Sequence, residues 1–318
     1  MTSIVFMGTP EFSIPSLEKL NSSYDVRAVV TVPDKPQGRG KIISPSPVKI
    51  KAIELGIPVL QPVKLIDSEF IENIKNINPD IICVIAFRIL PKEIFTLSKI
   101  ASFNIHASLL PKYRGAAPIN WAIIKGEHIT GLTSFILDEK VDTGNILLQK
   151  LINISDNMIA SELHDLMAPQ AASLAVETIE CLISDSYKLL PQDSALATPA
   201  PKIYPIDCKI NWNQYAFMIK HFIHGLSYYP GAWTYFIKSK MKLLRVEAVE
   251  ELSFKLLDSE LIPNKLKIGE YVIDKNNFIV KCGSGFILIK ELQPEGKKPM
   301  EIESFINGFR GVKKGLFD

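Results

Sequence analysis

The sequence predicts an α/β domain with a mostly parallel sheet, followed by a smaller domain built as an antiparallel β-barrel. Three observations lead there. Over roughly the first 190 residues, short runs rich in Val, Ile and Phe alternate with helix-compatible stretches, the pattern of successive βα units. Those runs are apolar on both sides, as strands covered by helices on two faces must be. Beyond residue 208 the alternation gives way to strand-like runs separated by Pro, Gly and Asn. A chain of 318 residues exceeds the usual single domain, and 47% apolar residues supply a core for each of two.

Taken in order, SIVFMG at residues 3 to 8 reads as a buried strand, Gly8-Thr9-Pro10 as its turn and FSIPSLEKL as a helix. VRAVVTV is a second strand, IPVLQP a third, DIICVIAF a fourth behind the turn signal Asn78-Pro79, and ASFNIHA a fifth. Such a series is Rossmann-like. The first turn, GTPEF, lacks the G-x-G-x-x-G pattern, so nothing supports a dinucleotide cofactor. INWAIIKGE is helical, NILLQKLINI a strand, and IASELHDLMAPQAASLAVETIECLISD a long helical segment interrupted at Pro169. LPQDSALATPAPKIYP has little periodicity and reads as a linker, which gives a catalytic domain at 1–189, a linker at 190–207 and a second domain at 208–318. In that second domain NQYAFMIKHFIHGL sets His221 and His224 three residues apart. No carboxylate or cysteine completes a ligand set, so they read as structural. AWTYFI, MKLLRVEAV, GEYVI, FIVKC and GFILIKEL then form the barrel.

Composition narrows the function classes. Cys83, Cys181, Cys208 and Cys282 show no Cys-x-x-Cys spacing, against a disulfide framework or zinc site, and imply a reducing, cytoplasmic setting. The apolar start is too short for a signal peptide, and no membrane association is expected. Residues 208–318 carry 17 Lys+Arg against 12 Asp+Glu, an excess of +5 in a chain whose net charge is +2. Such asymmetry suits either solubility or a nucleic-acid-binding appendage. The stretch PDKPQGRGKIISPSPVK, residues 33–49, is too rich in Pro, Gly and basic residues for a core. It is also longer than the about 2 to 6 residues typical of a βα connection.

Candidate chemistry gathers in NIHASLLPKYRGAAP, residues 104–118, and in Asp142 of KVDTGNILL. With a strand period of two, Asn104 and His106 leave the same face, at a strand end where ligands of open α/β sheets bind. The following loop, with Pro111 and Pro118 around Gly115, cannot be continuous helix and reads as a pocket wall. A His beside a strand is also commonly a satisfied core residue, and Asn or Asp near turns often only bonds backbone. Ser108 suggests a serine hydrolase, but the chain lacks the G-x-S-x-G elbow there.

NIHASLLPKYRGAAP followed by VDTG resembles the signature of the folate-dependent formyltransferases. Over nearly all 318 residues the chain is similar to those members that formylate the amino group of initiator methionyl-tRNA. The resemblance implies a Rossmann-like formyltransferase domain and an OB-like C-terminal β-barrel. It implies 10-formyltetrahydrofolate as co-substrate, no metal, and a cytoplasmic monomer serving translation initiation. It assigns catalysis to Asn104, His106 and Asp142. The folate falls to Phe87, Arg88, Ile89, Leu90, Ser108, Leu109, Leu110, Pro111 and Asp138, and the tRNA to Arg39, Lys41, Arg114, Lys297 and Lys298. One departure stands out: relatives read V-A-Y-G-x-I-L-P where this chain has Ala86-Phe87-Arg88-Ile89-Leu90-Pro91, without the glycine.

Formyl transfer to an amine needs an uncharged nitrogen nucleophile, stabilisation of an oxyanion and protonation of the leaving nitrogen. One amide, one imidazole and one carboxylate can meet those needs. A formyltransferase acting on a small amine, such as a nucleotide-linked amino sugar or glycinamide ribonucleotide, would share the trio. A non-catalytic tRNA-binding module is a third reading. Loop 33–49 and the basic second domain discriminate, since a small substrate needs neither.

Overall fold

A computed structural model describes residues 1–37, 42–251 and 266–317. It divides into two compact units. The first comprises Met1–Pro118, Ile129–Asn153 and His164–Ala200; the second comprises Ile119–His128, Ile154–Leu163 and Pro201–Asp318.

The first unit is organised on a seven-stranded sheet in the order Ile146–Asn153, Ile129–Ile136, Ala101–His106, Ile81–Ile85, Ser3–Gly8, Asp25–Val30, Val59–Leu60. The last five pair in parallel, and the first two form an antiparallel edge. All six residues of Ser3–Gly8 and all five of Ile81–Ile85 are buried, which accounts for their lack of polar alternation. The Asp80 carboxylate accepts from the Ser3 backbone N–H and hydroxyl, both at 2.8 Å, and so pins the starts of two adjacent strands. Those bonds, with Lys99 nearby, hold its pKa down at about 2. In register, Gly8 lies opposite Ile85 and Ile85 opposite Ile105. Three strands therefore end along one edge, beside which Thr9, Ala86 and His106 fall.

Local signals explain the covering helices. Ser46 caps Pro47–Glu54 by accepting from the Lys49 N–H at 3.1 Å, with Pro47 at the favoured first position. Ser68–Ile77 begins at an Asp67 cap and ends on Asn78 in left-handed backbone, φ 50°, immediately before Pro79. The helix Ala160–Ile183 runs through Pro169 rather than stopping there. Among the described helices it alone has the length and composition of a membrane span, and half of its apolar window is buried inside the protein, as in a core helix. Met167, Ala171, Ala175 and Ile179 are fully buried.

Two features differ from the sequence reading. Ile129–Ile136 is a strand that the hydrophobic pattern conceals, because Thr130, Thr133 and Ser134 are buried within it. The stretch 33–49 is not wholly loop: Lys35–Gln37 and Ile42–Ser44 pair as an antiparallel ribbon, and Pro47 opens a helix. Arg39 and Lys41 lie outside the described residues.

The second unit carries an antiparallel sheet in the order Ala232–Phe236, Ser239–Val249, Phe286–Pro294, Phe278–Lys281, Glu270–Ile273, Lys314–Leu316, a curled half-barrel. All five strand-like runs of the sequence appear in it. Met300–Glu301 pairs on Phe286–Pro294, and a short helix, Ile302–Gly308, follows. The core is aromatic: the Phe236 ring lies 5.1 to 5.9 Å from those of Tyr271, Phe278, Phe305, Phe309 and Phe317.

Candidate active site

Asn104 and His106 leave the last residues of Ala101–His106 on one face, while Ile105 between them is buried on the other. The Asn104 Oδ1 atom is buried and has no hydrogen-bond partner among the described residues. Leaving such an atom unsatisfied costs about 1 to 3 kcal/mol, so it is an acceptor suited to a hydrogen-bond donor brought to the site.

His106 is 7% exposed. Its Nε2 lies 2.8 Å from the Tyr113 carbonyl oxygen, which only accepts, so this nitrogen carries a hydrogen. In the neutral ring Nδ1 is then the nitrogen without a hydrogen. It lies 3.8 Å from Asp142 Oδ2, too far for a direct hydrogen bond but close enough for the carboxylate to stabilise charge on the ring. The same oxygen accepts the Gly115 N–H at 2.9 Å. Asp142 has left-handed backbone, φ 55°, a conformation Asp reaches more readily than most residues.

Two glycines let the chain fold this tightly. A side chain at Gly144 would overlap the Ile136 carbonyl oxygen, and a Cβ on Gly115, at φ +127°, would approach Ala200 oxygen to 2.6 Å. Gly115 sits so close because Arg114–Gly115 pairs in parallel with Pro199–Ala200.

Residues 107–113 run as bends and turns rather than helix, as the prolines and glycine foretell, and their polar groups are largely spent on the loop itself. Ser108 is fully buried, and its hydroxyl donates to the Lys112 carbonyl at 2.6 Å. Thr133 holds the same loop, donating to the Ser108 carbonyl at 2.7 Å and accepting from the Leu110 N–H at 3.1 Å. The Leu110 side chain packs inward on Phe135 and Ile146. Of the positions assigned to the folate, Ser108 and Leu110 thus direct their side chains into the loop's support. Leu109 and Pro111 are half-buried, and Asp138 is exposed with its carboxylate accepting the Glu139 N–H.

The remaining positions assigned to the folate follow Ile81–Ile85. Ala86 is exposed at φ 50°, Phe87 is half-buried, Ile89 is 72% exposed, and Leu90 is buried in the core. Arg88 bridges to a neighbouring segment, donating to the Pro62 and Val63 carbonyls at 2.9 and 3.0 Å, with its guanidinium 5.2 Å from the Phe87 ring centre. Its Nε is buried without a partner among the described residues, and burial lowers its pKa.

Of the positions assigned to tRNA, Arg114 is half-buried and donates from Nε and Nη2 to Gln192 Oε1 at 3.1 and 2.7 Å. Lys297 and Lys298, in the second unit, are exposed.

Sequence reasoning missed Gln192 itself. Its Nε2 donates to the carbonyls of Asp142 and Gly144, at 3.0 and 2.8 Å. Leu190 pairs with Ile146 and the Tyr113 N–H donates to Thr198. The segment that reads as a linker therefore backs the site loop from Leu190 to Ala200. The only local signal is the Gln-Asp pair in an otherwise Ala- and Pro-rich stretch.

Residues 2–179 match the family model described as formyl transferase, and residues 202–310 match that of the formyl transferase C-terminal domain. A methionyl-tRNA formyltransferase of Parabacteroides distasonis is 41% identical over 319 residues, 97% of this chain and 96% of that protein. One of Clostridium novyi is 42% identical over 309 residues, 96% of each. Among solved structures, a sugar 3N-formyl transferase, WlaRD, in the presence of dTDP and 5-N-formyl-THF, matches with a TM-score of 0.65 at 23% identity, covering 94% of this chain and 99% of that one. At that identity the likeness concerns the fold.

Proposed function

The chain belongs to the methionyl-tRNA formyltransferase family, and from that premise we propose that it transfers the formyl group of 10-formyltetrahydrofolate to the α-amino group of initiator methionyl-tRNA, with Asn104, His106 and Asp142 as the catalytic group. The observation that supports the reading is the placement of Asn104 and His106 on one face at the carboxyl end of a parallel strand, with the Asp142 carboxylate 3.8 Å from His106 Nδ1 and Asn104 Oδ1 buried and unpartnered among the described residues.

The residues present suit a folate-derived co-substrate. Phe87 and Ile89 offer apolar surface, and the unpartnered Arg88 Nε and Asn104 Oδ1 are polar atoms awaiting a ligand. Phe87 to Leu90, with Leu109, Pro111 and Asp138, would hold it; Ser108 and Leu110 would act through their backbone and by fixing the loop. When bound, this group supplies the activated formyl carbon.

The protein's part is then positional and electrostatic. Asn104 donates from its amide to the formyl oxygen as negative charge collects there. Asp142 takes the proton of the α-amino group, directly or through a water, so that the nitrogen attacks uncharged. His106, fixed through Nε2 by the Tyr113 carbonyl, donates a proton or hydrogen bond from Nδ1 as charge develops and so supplies the leaving nitrogen, and the Asp142 carboxylate stabilises the ring while it is positive.

In the division of labour proposed, residues 1–189 carry the chemistry, and 208–318, with its +5 excess, carries tRNA contacts including Lys297 and Lys298. Arg39, Lys41 and Arg114 would add contacts from the first domain, in a cytoplasmic, monomeric enzyme. Transfer of labelled formyl from 10-formyltetrahydrofolate to initiator methionyl-tRNA, run beside amino-sugar acceptors, tests the reading. Label on the aminoacyl-tRNA alone is expected; label on the sugar alone would replace the proposal by the small-amine one.

A further inference from the structure

We propose that Gln192 is a positioning residue for Asp142, joined with Arg114 in a strut that sets the carboxylate against His106. The inference rests on the reading of Asp142 as the group that takes the amino proton. Gln192 uses both amide hydrogens on the turn that carries Asp142, one to the carbonyl of Asp142 and one to that of Gly144. Its amide oxygen receives two N–H groups of Arg114, the residue immediately before Gly115. Gly115 in turn donates to the Asp142 carboxylate. One carboxamide thus ties together the chain that bears the acid and the chain that orients it.

The turn needs such a tie. Asp142 has φ 55°, and Gly144 has no room for a side chain that could pack the turn in place. Hydrogen bonds must do what packing cannot. The chemistry of the bridge also selects its residue: two carbonyls need donors, and a guanidinium needs an acceptor. Glutamate lacks the donors and lysine lacks the acceptor, whereas asparagine is one methylene short.

A strut and a mere staple predict different kinetics. Gln192→Glu should keep the Arg114 partner and the fold, yet place a carboxylate against two carbonyl oxygens and so lower Tm by a few degrees. If the strut positions Asp142, kcat should fall roughly 10- to 100-fold, with KM for 10-formyltetrahydrofolate within about 3-fold and the pH–rate profile displaced. Gln192→Ala should lower kcat similarly in the wild-type background and by less than about 2-fold in an Asp142→Asn background, because it acts through that carboxylate. Should Gln192→Ala not fold, Gln192→Asn provides the same pair of measurements, with a smaller graded loss.

The inference is overturned if the folded Gln192 variants keep kcat within about 2-fold of wild type while Asp142→Asn is disabled. It is overturned equally if they lower only Tm, or if they lose as much kcat in the Asp142→Asn background as in the wild type. An undiminished Asp142→Asn enzyme would instead remove the reading of Asp142 beneath it.

Discussion

Each unit buries a histidine almost completely, and the two are held in opposite senses. His106, 7% exposed, donates from Nε2 to a backbone carbonyl and turns Nδ1 toward the Asp142 carboxylate. His224, 3% exposed, accepts through Nε2 from the Val246 N–H, so its neutral ring carries the hydrogen on Nδ1. Burial disfavours its charged form, and Lys220, Arg245 and His221 add like charge, pushing its pKa down to about 4. Burial alone therefore does not mark a histidine for chemistry. The sense of its backbone bond and the sign of its nearest charge distinguish the ring that faces a carboxylate from the one set among cations.

The same substitution made at both positions tests that distinction, and its largest effect belongs to the first unit. His106→Gln retains an N–H able to reach the Tyr113 carbonyl but removes the nitrogen facing Asp142. It should lower kcat by roughly 10²–10³ with little change in KM, as should Asn104→Ala and Asp142→Asn. Two together should cost much less than the product of the singles. Single-turnover rates at saturating substrates measure this. A His106→Gln enzyme within a few-fold of wild type would show that Nδ1 takes no part.

The sequence reveals the two histidines unequally for the same physical reason. Asn104 and His106 are legible because strand period and strand end together put them at the sheet's ligand edge. His221 and His224 read as structural because no carboxylate falls at ligand spacing. The strands of the parallel sheet and the aromatic antiparallel unit are legible because burial leaves apolar runs. Ile129–Ile136 is not, since its buried Thr133 is used to fasten the site loop rather than to fill a core. Gln192 is hidden for another reason: its role lies in bonds reaching 48 to 78 residues away, in a segment without periodicity. Its neighbours Pro199–Ala200 likewise reveal themselves only when paired with Arg114–Gly115.

His224→Gln should leave catalysis alone and change the response to pH. A histidine whose folded pKa lies near 4, below its ordinary 6.5, contributes stability that is fully present above about pH 6.5. That stability is lost as pH falls through 4, because the unfolded chain takes up the proton first. The shift corresponds to a loss on the order of 3 kcal/mol across that window. Glutamine can accept from the Val246 N–H without titrating, so His224→Gln should flatten the dependence. Trp121, Trp212 and Trp233 all belong to the second unit, so denaturant melts followed by tryptophan fluorescence at pH 7, 5.5 and 4.5 would read it. Parallel losses in variant and wild type would assign acid sensitivity to other groups.

The smallest expected effect concerns the cations of the second unit, proposed to serve binding rather than proton transfer. Lys297 and Lys298 are exposed at a turn whose bonds do not use their side chains: the Lys297 N–H donates to the Pro294 carbonyl, and its own carbonyl accepts from Gln293 Nε2 at 2.9 Å. Replacing both with glutamine removes charge without disturbing that turn. Phosphate contacts release counterions, so log affinity for tRNA should fall linearly with log salt, by roughly 0.7 to 0.9 per contact. The double variant should bind initiator methionyl-tRNA more weakly at low salt, with a slope shallower by about one to two units. At saturating tRNA its kcat should stay within a few-fold of wild type, because neither lysine is assigned to the reacting atoms. Filter binding across a salt series, with single-turnover transfer on the same preparations, separates the two quantities. An unchanged slope would remove these lysines from the tRNA surface, whereas a kcat loss comparable to that of His106→Gln would mean that the second unit enters the chemistry as well.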